Sequence, residues 1–76
     1  MTEKEKELSR ARYMSDVQDR FVPRFVQDTY NVKRSEAIRA WFASDTKVAI
    51  QKAKSENIRL MLPGTCFEQL KLEIRK

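Results

Sequence analysis

The chain has 76 residues, 41% of them hydrophobic and 36% charged, with one Gly, two Pro, one Cys, no His and a formal net charge of +5. That suits one small domain with a marginal core; it is too apolar for a disordered chain and too poor in turn residues for a domain of many β-hairpins. The lone Cys66 excludes an internal disulfide, the lack of histidine removes the commonest general base and a leading zinc ligand, and a single glycine excludes a Gly-rich phosphate loop.

The opening MTEKEKELSRAR mixes charges of both signs. Glu3, Glu5 and Glu7 complement the dipole of a helix start, and residues 1–9 are expected to form a frayed, solvated extension of the domain. Tyr13, Met14, Val17 and Phe21 then cluster on one side at 100° per residue, which predicts a first helix over about 4–20 with its buried half after Arg10. Pro23 cannot continue a helix as a donor but suits a first helical position. The stretch RFVPRFVQDTYN therefore reads as a corner followed by a second helix over about 23–30. Val22, Phe25, Val26 and Tyr30 form its inner face, with Arg24, Gln27 and Asp28 outside.

Asn31 tolerates the left-handed conformation that ends many helices. Val32 is expected to turn inward, and Ser35 to cap a third helix with Glu36 in its first turn. In SEAIRAWFAS the spacing of Ile38, Trp41 and Phe42, with Ala37 beside them, marks an inner face. Ser44 or Asp45 caps a fourth helix through about Glu56, with a small apolar face of Ala49, Ile50 and Ala53. The tail NIRLMLPGTCFEQLKLEIRK fits two structures. Pro63-Gly64 suits a type II turn in a C-terminal β-hairpin, with Leu70, Leu72 and Ile74 alternating with charges. Alternatively, Thr65 and Glu68 form a capping box for a helix burying Phe67, Leu70 and Ile74. The strong helix formers of the segment favour the helix.

The fold class expected is thus mainly α: a small helical domain, 1–76, centred on two helices joined by a short basic turn. The short helix PRFVQDTY, the turn NVKRS with inward Val32, and the amphipathic helix EAIRAWFAS together resemble the helix-turn-helix of DNA-binding domains. The resemblance spans residues 22–43. Asn31 stands where that family usually has glycine, and Gln27 where it usually has a small residue. The resemblance implies that the second helix lies in the major groove of double-stranded DNA, with its N-terminal residues at bases or phosphates.

Charge points the same way. Five basic and two acidic residues lie between Arg20 and Arg39. Lys33 and Arg34 crowd a helix N-terminus, where positive charge opposes the macrodipole by a few tenths of a kcal/mol each; a phosphate would reverse that cost. The candidate nucleic-acid ligands are Lys33, Arg34 and Ser35 at the helix start, with Arg39, Arg24 and Lys47 extending the patch. Trp41 and Phe42 could stack on unpaired bases, but their spacing assigns them to the core.

The functional expectation is a small non-enzymatic regulator or accessory factor that binds nucleic acid, DNA above RNA, acting as a homodimer or beside a second partner. No metal or cofactor is expected. The alternative is a protein-interaction module that binds an acidic partner or pairs through its C-terminal segment, where IRLML would make an edge strand open to strand addition. No apolar run reaches the length of a membrane span and the N-terminus lacks the apolar core of a signal peptide, so a cytoplasmic location and no membrane contact are expected.

Overall fold

The computed structural model describes residues 2–75. Five helices follow one another: α1 (Glu3–Tyr30), α2 (Arg34–Phe42), α3 (Asp45–Lys52), α4 (Glu56–Arg59) and α5 (Pro63–Ile74). No strand forms among the described residues, so the hairpin reading of the tail, and with it an edge strand at IRLML, is excluded. α1 is the spine: α2, α4 and α5 pack along it, and α3 rests on α5. The longest dimension, 43 Å, is close to the length of a 28-residue helix at 1.5 Å per residue.

The expected corner at Pro23 does not occur, because α1 runs straight through it. A proline inside a helix forfeits one backbone hydrogen bond and costs about 3 kcal/mol. Burial offsets that cost: Val22, Pro23 and Val26 are all buried, and they form the wall against which the other helices pack. Continuity also resets the buried side of the first half. Ala11, Gln18, Val22 and Val26 share it, while Tyr13 is 70% exposed and Phe21 is exposed as well. The face predicted from Tyr13 to Phe21 assumed a helix free to turn independently of residues 22–30. At its start, Thr2 and Glu5 make a reciprocal capping box. The residues up to Arg10 are helical from Glu3 onward and lie exposed.

The α1–α2 turn follows the expectation up to its last residue. Asn31 is left-handed (φ 54°, ψ 45°) and its N–H donates to the Gln27 carbonyl; Val32 packs against the core. The cap of α2, however, is Lys33 and not Ser35. The left-handed Asn31 and the inserted Val32 complete the reversal in three residues, so the Lys33 carbonyl already accepts from Ala37. Ser35 lies inside the helix, exposed. Ala37 and Trp41 face inward as predicted, whereas Ile38 and Phe42, 37% and 47% exposed, do not.

Ser44 caps α3 as read: its hydroxyl accepts from Lys47 N (3.1 Å) and donates to the Trp41 carbonyl (2.6 Å). α3 stops at Lys52, short of Glu56, because Ala53 is extended and Ser55 opens α4. α5 begins at Pro63, the first helical position, with Leu62 as cap; Thr65 is therefore already inside the helix, and no Thr65 capping box forms. The core gathers Val22, Val26, Ala37, Trp41, Ile50, Cys66, Phe67 and Leu70. The Phe25 and Phe67 rings meet at 5.7 Å. Buried Gln18 donates to the Arg59 and Met61 carbonyls, tying α1 to the α4–α5 connection.

Candidate nucleic-acid interface

α1 and α2 leave a cleft of about 440 Å³ between them. Arg20 and Arg24 line it from α1, one helical turn apart, and Arg34 lines it from the first turn of α2. All three are exposed, and none makes an ion pair among the described residues. Pro23 and Ile38 supply apolar lining, and Asp19 and Gln27 supply polar lining. Lys33 is exposed beside Arg34. No side chain caps α2, so its first-turn N–H groups beside Arg34 lack a side-chain acceptor, and Glu36 is the acidic residue of that turn.

The remaining sequence candidates scatter. Ser35 is exposed at the start of α2 but does not line the cleft. Arg39 is exposed and, five residues beyond Arg34, lies about 140° further round the helix at 100° per residue; it belongs to the outward face with Glu36. Lys47 is 7% exposed. Its Nζ pairs with Asp19 Oδ1, and it lies over the rings of Trp41 (5.6 Å) and Phe42 (4.7 Å). Asp19 Oδ1 also accepts from Trp41 Nε1 at 2.9 Å. Lys47 is thus committed to an interior cluster and is not part of the basic surface.

Arg20 was missing from the sequence-derived set. Its spacing from Arg24 was the available signal, masked by the supposed break at Pro23 between them. Like charges four residues apart on a helix repel by a few tenths of a kcal/mol, and Arg34 adds a third charge from another element.

Cys66 offers no alternative site. It is buried, its Sγ faces the Met61 carbonyl at 3.8 Å, and burial pushes the thiol up from 9.0 to about 11. No group of three metal-ligating side chains occurs among the described residues. An apolar groove of about 780 Å³ lies between α3, α4 and α5, lined in part by Ala49, Ile58, Met61 and Leu72. No helix is long and apolar enough to cross a membrane among the described residues. Comparison with models of known protein families, with curated proteins and with solved structures finds no match for this chain.

Proposed function

We propose that this protein binds nucleic acid through its phosphates, with double-stranded DNA as the first form to test. The observation that carries the reading is the meeting of Arg20, Arg24 and Arg34, from two helices and with no carboxylate partner among the described residues, in one cleft. Lys33 and the uncapped start of α2 lie alongside. Guanidinium groups suit phosphate because their planar donors pair with its oxygens two at a time. The helix-turn-helix resemblance over residues 22–43 covers the end of α1, the Asn31–Lys33 turn and α2, although its first helix is here the end of a 28-residue helix and not a separate short one. In this reading Lys33, Arg34 and Arg24 act as phosphate ligands and Arg39, on the outward face of α2, contacts a base edge. A single module of this size buries little DNA, so useful affinity calls for a second copy or a DNA-bound partner.

Titration of labelled duplex at two salt concentrations tests the reading. Binding should weaken steeply with salt, and Lys33→Ala with Arg34→Ala should lower the slope of log K against log salt by about two. Absence of duplex and single-strand binding at about 50 mM salt, where any basic nucleic-acid module retains non-specific affinity, overturns it.

The groove between α3, α4 and α5 favours a second reading, a protein-interaction module. Exposed Ile58 and Leu72 lie there, away from the arginine cleft. A partner protein whose binding is abolished by Leu72→Asp but unaffected by Arg24→Ala would select that reading.

A further inference from the structure

The arginine cleft is richer than a phosphate site requires. A bare phosphate needs charge and donors, yet this cleft also carries Pro23, buried, and Ile38, 37% exposed. Gln27 lines it too, and its side-chain amide makes no hydrogen bond among the described residues. Asp19 commits Oδ1 to Trp41 and Lys47, leaving Oδ2 outside those two bonds. Arginines on both walls, an apolar patch at Ile38, and a half-buried amide that both donates and accepts suit a nucleotide better than an inorganic anion. The volume, about 440 Å³, falls in the range of roughly 300–1,000 Å³ typical of small-molecule sites.

A base within a duplex is stacked and paired, so it cannot enter a cleft between two helices without first leaving the stack. An unpaired base is free to do so, and arginine planes also stack on bases. We infer that the α1–α2 cleft receives one unpaired nucleotide. Its phosphate lies among Arg20, Arg24 and Arg34, its base lies against Ile38 and Pro23, and its hydrogen-bonding edge is met by Gln27. This rests on the nucleic-acid reading and narrows it: the preferred ligand is a single strand, or a duplex with an unpaired end, over a blunt duplex.

The test compares a short labelled single strand, the blunt duplex of the same sequence and that duplex with a one-nucleotide overhang, by fluorescence anisotropy on the full chain. The overhang and the single strand should each bind roughly tenfold more tightly than the blunt duplex, the scale of stacking one base. Arg24→Ala, an exposed change checked for folding by circular dichroism, should abolish that preference. In NMR titrations, a nucleoside monophosphate should shift the Gln27 side-chain amide and the Ile38 methyl signals, whereas inorganic phosphate should move the arginine signals alone. Equal binding of blunt and unpaired ends overturns the inference and leaves the nucleic-acid reading standing. No binding of any of the three overturns both. Tighter binding of an acidic peptide than of the single strand, with the same Arg24 dependence, overturns both in favour of a protein partner.

Discussion

Asp19 shows how one side chain can hold together elements far apart in sequence. Its Oδ1 accepts from Trp41 Nε1 and pairs with Lys47 Nζ, joining α1 to α2 and α3 at the inner edge of the cleft. Asp19→Asn should keep the indole bond but strand the Lys47 ammonium in the interior. We expect a loss of about 2–3 kcal/mol, less than for a fully buried pair because the Asp19 side chain keeps 26% exposure. Adding Lys47→Met should recover part of it by removing the unpaired charge. Urea unfolding followed by fluorescence of the lone Trp41 reads both, and an unchanged midpoint in Asp19→Asn refutes the pairing. Trp41 is buried as expected although Ile38 and Phe42, whose spacing with it carried that expectation, stay exposed; the fate of Lys47 was not legible, because its partner lies 28 residues away and local periodicity cannot report it. Cys66 gives a second prediction at this scale. Burial favours its neutral thiol in the folded state, raised from 9.0 to about 11, so this contribution is intact below pH 9 and is lost as pH rises through about 11. The loss should reach roughly 2–3 kcal/mol. Cys66→Ala should therefore show a shallower alkaline decline in stability than the parent, and the folded parent should resist thiol reagents at pH 8; rapid labelling there would contradict the assignment.

Among the elements, sequence signals were reliable where local chemistry decided the outcome and failed where packing did. Asn31 and Ser44 end and start helices as their side chains dictate. At Pro23 the local rule lost to burial, because Val22 and Val26 need a continuous α1 to bury against α2 and α5. At the tail, two rules competed: the Thr65–Glu68 pattern suggested a cap, but Pro63 at the first position started α5 earlier. Thr65→Ala should accordingly change stability by less than about 0.5 kcal/mol, as for an ordinary surface site. At α3 a second cap, beside that of Ser44, comes from another element. Glu73, near the end of α5, accepts from the N–H groups of Asp45 (2.9 Å) and Thr46 (3.0 Å) and from the Thr46 hydroxyl (2.7 Å), placing a carboxylate at the positive end of α3. Glu73→Ala should cost about 1–2 kcal/mol. Urea titrations of the two variants side by side distinguish a local from a borrowed cap, and a larger loss in Thr65→Ala would reverse the assignment.

For the molecule as a whole, the helical class was legible from composition, whereas the charge imbalance suits nucleic acid and an acidic protein surface alike. What the sequence hid was where the charge collects: two of the five expected basic residues, Arg39 and Lys47, point elsewhere, and Arg20 joins the cleft. Three arginines around one cleft, unpaired among the described residues, repel one another weakly in the free protein, by a few tenths of a kcal/mol for a neighbouring pair on one helix. Monovalent salt should relieve this repulsion weakly by screening, over a Debye length of about 10 Å at 0.1 M. A polyanion that binds only the folded state should relieve it strongly: about 2.7 kcal/mol at a hundred times its Kd, which in a domain this small means a rise in Tm of roughly 10 °C or more. Arg24→Ala should show a slightly higher Tm in low salt, since one repelling charge is gone, and a markedly smaller rise with oligonucleotide. Those opposite signs separate a binding role from a structural one. If Arg24 served stability, its loss would lower the starting Tm and leave the oligonucleotide-dependent rise intact. Thermal melts of both proteins, with and without saturating oligonucleotide at about 50 mM salt, decide between them.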